Sequence, residues 1–215
     1  MDRARLRTAL RVMFVSDGRG DAVRLERLAR AAIDGGVRCI HLREPALGDA
    51  ELRAVAERLR LRLDACDGLL VVNERADLVS AGVAHALHQK ASGPPVDVAR
   101  RALLAGAFVA KSVHDEVEVA AAGDADWLVL APILPTASKP WATALGLDRA
   151  RALTAAARAP TVWLGGLSAA ALRSLSRGAM PVGFAALGAF AIDDDAATVR
   201  AAAFVAAVDA ILGPP

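Results

Sequence analysis

Short apolar runs alternate with longer stretches of helical spacing from one end of the chain to the other. The runs fall at 11–17, 37–44, 69–74, 84–90, 107–113, 126–132, 160–166 and 182–188. They are rich in apolar or β-branched residues, as in "LLVVNE" and "DWLVLAP", which is the character of strands covered on both faces. Between them, segments such as "AVRLERLARAAIDGG" and "DAELRAVAERLRLRLDAC" repeat apolar residues at helical intervals, and several stop at a glycine. A last helix is expected from Asp195 to about Leu212. Eight short strands joined by crossover helices predict an α/β fold, a (β/α)8 TIM barrel forming one domain over 1–215. The competing architecture is an open doubly wound sheet. Its dinucleotide-binding form would place GxGxxG after the first strand, where this chain has the loose turn "SDGRGD". The stretches "SGPPVD" (92–97) and "PILPTASKPWATALG" (132–146) interrupt the pattern as loops, the second long enough to serve an active site.

Composition narrows the partners. The chain is 55% hydrophobic and 23% charged, as expected of a globular protein. Its 26 basic and 24 acidic residues leave a formal charge of +2, and the arginines are scattered rather than massed. With aromatics at 4% and no tyrosine, neither a phosphate-tracking patch nor a stacking platform supports a nucleic-acid partner. Cys39 and Cys66 lack CxxC spacing, which suggests buried thiols in a reducing compartment and a cytoplasmic location. No apolar run reaches the roughly 18 residues of a membrane span. The basic opening lacks the apolar core and cleavage site of a signal peptide.

Barrels of this kind carry their chemistry on the carboxyl-terminal ends of the strands. The predicted strand ends hold Asp17, His41, Arg43, Glu44, Asn73, Glu74, His88, Lys111, Ser112 and His114. Thr136, Ser138 and Lys139 follow the sixth strand, and Gly165, Gly166 and Gly188 follow the last two. In "WLGGLSAAALRSLSRG" paired glycines precede a helix start at Ser168. Such a turn lets backbone N–H groups approach an anion, most simply a phosphate, or else merely permits a tight bend. Leu187 and Gly188, in "ALGAFAI", supply a second turn where barrels complete a phosphate cup.

Arg43, in "HLRE", offers a planar fork to a phosphate or carboxylate, or forms a rim ion pair with Glu44 or Asp49. Asn73 and Glu74 provide oxygen ligands or cap a turn, with substrate contact or capping favoured over metal. Lys139, with two hydroxyls in "PTASKP", reads as an anion grip or an ordinary surface loop. His114 reads as an acid/base group or as a satisfied hydrogen bonder at a helix start. No metal site is expected, and ligand contact by His85 and His88 is left open.

Taken in order, "HLRE", "NERADL", "KSVHDEVEVAAAGDADWLVLAPILPTASKP" and "VWLGGLSAAALRSLSRGA" resemble the superfamily of thiamin phosphate synthases and thiazole tautomerases, which are (β/α)8 barrels. The likeness runs from about Phe14 to Phe190. The synthase pattern has Gln-x-Arg-x-Lys after its second strand, where this chain reads His41, Arg43 and Pro45. It has Asn-Asp after the third, here Asn73-Glu74, and a further Mg2+-binding Asp after the fourth, where "HQKASGPP" offers no carboxylate. The tautomerase pattern, His-x-Arg-Glu and Ser-Val-His, is matched by His41, Arg43 and Glu44 and by Ser112 and His114.

The resemblance therefore implies a thiazole tautomerase, an isomerase of thiamin biosynthesis, in which His114 shuttles a proton on a thiazole carboxylate phosphate. In that reading the phosphate sits on Gly165, Gly166 and the Leu187–Gly188 turn, and Arg43 or Lys139 faces the carboxylate. His41, Asn73, Ser112, Thr136 and Ser138 complete the substrate site. The family often has a hydroxyl where this chain has Leu187. No cofactor is implied, Mg2+ entering only with the synthase alternative, which joins a pyrimidine diphosphate to a thiazole phosphate. A third alternative is a barrel that binds a thiamin precursor without turnover. The resemblance also admits a homodimer, with no interface located.

Overall fold

The computed structural model describes residues 2–175 and 178–215. Its strands are β1 (Val12–Val15), β2 (Cys39–Leu42), β3 (Leu69–Asn73), β4 (Ala86–Gln89), β5 (Phe108–Val113), β6 (Trp127–Leu130), β7 (Thr161–Leu164) and β8 (Gly183–Ala186). Each pairs in parallel with the next, and β8 pairs with β1, closing the barrel. The (β/α)8 fold expected from the pattern is the fold present. Every predicted apolar run contains its strand, and every strand is shorter than its run, because the flanking residues belong to the turns.

The helices are α1 (Arg3–Ala9), α2 (Ala22–Asp34), α3 (Asp49–Asp64), α4 (Ala76–Ser80), α5 (Val96–Arg101), α6 (Glu116–Ala120), α7 (Leu147–Ala156), α8 (Ala169–Arg173) and α9 (Ala197–Leu212). In α2 the buried positions are Leu25, Leu28, Ala29, Ala32 and Ile33, one stripe of an amphipathic helix whose first turn is capped by Asp21 accepting from Arg24 N at 2.9 Å. The last helix begins at Ala197 rather than Asp195, since the Asp194 carboxylate accepts from Ala196 N at 2.8 Å in the turn before it. Ser176 and Arg177, in the run "SAAALRSLSRGA", lie outside the described residues.

Alternation along each strand divides the apolar side chains between two cores. One set, including Phe14, Ile40, Leu70, Leu128 and Phe184, packs outward against the helices. The other fills the barrel: Met13, Val15, Cys39, Leu69, Val71, Ala86, Ala110, Trp127, Val129, Val162 and Ala185. Helix α1 replaces the featureless basic lead-in expected before β1. Its Leu6 and Ala9, with Leu10 just beyond, join the interior set and stopper the amino-terminal end of the barrel.

Candidate active site

The same alternation that buries Cys39, Val71, Ala86 and Ala110 brings His41, Asn73, His88 and Ser112 to the next level of the interior, where they floor a cavity of about 1310 Å³ at the carboxyl-terminal rim. Strand pairing sets Asn73 beside His88. Asn73 Oδ1 lies 3.1 Å from His88 Nδ1, and Ser112 Oγ lies 3.1 Å from His88 Nε2. The amide oxygen accepts only, so it fixes the proton on Nδ1 and leaves Nε2 to accept from the serine hydroxyl. The rings of His41 and His88 stand 4.5 Å apart at 59°.

Both imidazoles are neutral at physiological pH. Burial, then the charges of Arg43 and Lys139, push His88 down to about 4. Burial, His88 and Arg43 hold His41 well below the usual histidine range. Among the described residues His41 Nε2 has no hydrogen-bond partner, although the ring is buried and lines the cavity.

Around this floor the wall is basic. Arg43, Lys90, Lys139 and Arg200 line it, against one carboxylate, Glu118. Arg43 is exposed; its N–H donates to Ser16 Oγ at 2.8 Å. The rim pairing weighed above is absent: Glu44 accepts from Gly18 N and Gly20 N, both at 3.2 Å, and Asp49 pairs with Arg75. Lys139 comes from the 132–146 segment, which has neither helix nor strand, and there Thr136 Oγ1 and Ser138 Oγ are 3.1 Å apart.

His114 lines the cavity where β5 gives way to α6. Glu118 Oε2 accepts from both His114 N and His114 Nδ1 at 2.7 Å, so Nε2 is the ring atom left over. His114 is thus hydrogen-bonded at the helix start and also lines the cavity.

The paired glycines have a packing cause. Gly165 and Gly166 have φ of +107° and +69°, and an added Cβ would stand 2.8 Å from Pro132 Cα at one and 2.6 Å from Pro135 O at the other. The turn therefore lets the 132–135 segment lie against β7, with Leu134 N donating to Gly165 O at 3.1 Å. Gly165, Gly166, Leu187 and Gly188 all line the cavity, and no described atom accepts from the N–H of Gly166 or Gly188.

Not every strand-end residue faces this space. Lys111 has the opposite parity to Ser112 and binds Gly93 O and Pro94 O, each at 3.3 Å. Asp17 pairs with Arg24. His85 lies at the other end of β4; its Nδ1 accepts from Leu70 N at 2.9 Å while Nε2 contacts Asp64 at 2.8 Å, a structural role. His88 was named as a strand-end residue without a role, and Lys90 and Glu118 were not singled out in the sequence. Their signals were alternation along 86, 88 and 90 and the four-residue spacing from His114 to Glu118. Arg200, from α9, carried no local signal.

A closed (β/α)8 barrel with a cationic, glycine-edged cavity on its carboxyl-terminal rim has the form of a barrel that takes small anionic ligands. The chain belongs to the thiamine monophosphate synthase family, whose model matches residues 12–188. It is 36% identical over 183 residues to the thiamine-phosphate synthase of Mycobacterium bovis, covering 79% of this chain and 82% of that one. It is 37% identical over 157 residues to that of Saccharopolyspora erythraea, covering 69% and 70%. Thiamine phosphate pyrophosphorylase from Pyrococcus furiosus shares the fold with a TM-score of 0.85 at 22% identity, over 97% of this chain and all of that one.

These findings correct the expectation of a tautomerase. Relatives matched over most of the chain are named as synthases, which are transferases and not isomerases, so the tautomerase expectation does not stand. The motifs that suggested otherwise are three or four residues long, and the positions they mark can as readily line a binding wall as hold an acid/base group. Among the described residues, no helix is long and apolar enough to cross a membrane.

Proposed function

We propose that the chain is a thiamin phosphate synthase, joining a pyrimidine carried on a diphosphate to a thiazole phosphate. The relatives' names supply the reaction, and the observation that carries it here is one cavity of about 1310 Å³ with a neutral polar floor and a basic wall. Ligand pockets for one drug-sized molecule span roughly 300–1,000 Å³, so this one has room for two small rings together. In the reaction the bond between the pyrimidine methylene carbon and the diphosphate oxygen breaks, and its electron pair leaves with the diphosphate. The lone pair of the thiazole nitrogen forms the new C–N bond. No proton is released at that nitrogen, so His114 acts in this reading through its contact with substrate and not as a base.

Arg43 and Lys139 face the charge that develops on the leaving group, where preorganised cations act most strongly. His41, Asn73, His88 and Ser112 present donors and acceptors to the ring edges, and neutral imidazoles avoid repelling a cationic pyrimidine centre. Thr136 and Ser138 add hydroxyls from the loop. The backbone at Gly165, Gly166, Leu187 and Gly188 receives the thiazole phosphate.

Mg2+, implied by the synthase pattern, needs several oxygen ligands in near-octahedral order. The residues present do not fit it. Glu74 is ion-paired with Lys90, Glu118 is taken by His114, and Asn73 Oδ1 is engaged by His88. Among the described residues no three acidic, histidine or cysteine side chains form a metal-sized cluster. The test of the reading is incubation of the full chain with both substrates, once with Mg2+ and once with EDTA, followed by chromatography. Equal amounts of thiamin phosphate and diphosphate are expected; no product under either condition overturns it.

A further inference from the structure

Beyond its last ladder residue, β4 leads into Lys90, which lines the cavity wall. There it is ion-paired with Glu74. Glu74 sits in left-handed backbone, φ +57°, and its N–H donates to His88 O at 2.9 Å. This geometry, costly for a residue with a side chain, fastens the end of β3 to the end of β4 and brings the carboxylate beside the ammonium. The basic wall is otherwise divided between engaged and open cations. Arg200 is held by Asp194 at 2.7 Å. Among the described residues, the side chains of Arg43 and Lys139 have no hydrogen-bond or ion-pair partner. Both are near enough to His88 to act on its charge. Three cations from three elements, the ends of β2 and β4 and the β6–α7 loop, thus line one cavity whose one carboxylate among the described residues, Glu118, is already bonded twice.

We propose that Lys90, steered by Glu74, joins Arg43 and Lys139 in a clamp that binds and neutralises a diphosphate group directly, side-chain cations standing in for a divalent metal. The identity of the diphosphate as a leaving group rests on the synthase reading; the clamp itself rests on the cations. When the carbon–oxygen bond breaks, the electron pair stays on the diphosphate, and the three cations offset that charge without a proton or an external acceptor. Glu74 is a positioning residue here, since it acts through Lys90.

The test is isothermal titration calorimetry of inorganic pyrophosphate into the full chain, in EDTA and in Mg2+. Binding in EDTA within about threefold of that in Mg2+ is expected, together with a weakening of roughly tenfold or more in Lys90→Ala, the loss of one charge-assisted contact. Lys90→Arg is expected to bind much as the unaltered chain does. Lys90 is 62% exposed, so its removal leaves the fold intact, and the comparison of buffers on the unaltered chain stands even without that variant. Pyrophosphate binding that requires Mg2+, or affinity unchanged in Lys90→Ala, overturns the clamp. Metal-free binding with no condensation of the two substrates leaves the clamp standing and overturns the synthase reading instead.

Discussion

The two ends of the barrel use the same eight strands for opposite purposes. At the amino-terminal end, Leu6, Ala9 and Leu10 close over Met13, Cys39, Leu69 and Trp127, and the interior is filled with hydrocarbon. At the carboxyl-terminal end the inward positions pass to His41, Asn73, His88 and Ser112, and the space above them opens. Two histidines at the two ends of β4 show the divide. His85, just before the strand, is tied to Leu70 and Asp64, while His88, three residues on and of opposite parity, faces the cavity. Stability is concentrated at one end and chemistry at the other, so substitutions at the two ends should fail in different ways.

The largest expected effect lies at the closed end. Leu10 is fully buried, and Leu10→Ala removes its packing and leaves a cavity where α1 meets the barrel, costing about 2–5 kcal/mol. Urea unfolding should show the lost stability while the folded fraction keeps its turnover per molecule. At the open end, Arg43→Ala should do the reverse. The side chain is exposed, so unfolding is unchanged, whereas loss of one preorganised cation lowers kcat by about 10²–10³. If Arg43→Ala unfolds the protein, or Leu10→Ala abolishes turnover without affecting stability, the division fails.

Acid should weaken the open end selectively. His88 has its pKa lowered from 6.5 to about 4 by burial and by Arg43 and Lys139. A histidine whose folded pKa lies below its unfolded value leaves the unfolded state with more bound protons. Stability therefore falls as pH drops through the window from 6.5 to about 4, by on the order of 3 kcal/mol in all. His41 acts in the same direction. His88→Gln keeps a donor and an acceptor without a titrating ring, and should flatten the decline in unfolding free energy across this range. A slope unchanged by that substitution would place the acid sensitivity elsewhere.

The strands were legible because a buried parallel strand has an apolar centre, and "LLVVNE" or "DWLVLAP" is difficult to read otherwise. Helix α1 was not, because Arg3, Arg5 and Arg7 alternate through it and obscure the spacing of Leu6, Ala9 and Leu10. At the rim, most of the strand-end residues from His41 to Gly188 line the cavity. Lys111, Glu44, Glu74 and Asp17, named with them, turn their side chains to other bonds. Parity separates Ser112 from Lys111 and sets His88 among the inward residues. Arg200 reaches the cavity only because α9 returns to the barrel, which is a fact of tertiary structure. The assignment to a tautomerase failed for a different reason. A histidine at a strand end has the same local sequence whether it moves a proton or holds a helix turn through Glu118.

The smallest effect tests the border between the two chemistries. Leu187 is an apolar residue at the cavity edge, half-buried and packed against the interior set. It follows β8 and precedes Gly188, and its side chain lies at the cavity edge with those of Ala186 and Ala189. Leu187→Ser trades that contact for a hydroxyl facing the anion. A partly buried leucine contributes less than the about 1.5–3 kcal/mol of a fully buried one, so unfolding free energy should drop by about 1 kcal/mol. A neutral hydrogen bond is worth about 0.5–1.5 kcal/mol, so KM for the thiazole phosphate should fall a few-fold with kcat nearly unchanged, because ground and transition states gain the contact alike. An unaltered KM together with the stability loss would mean that the phosphate lies away from the β8 turn, and would shift the anion cradle onto Gly165 and Gly166 alone.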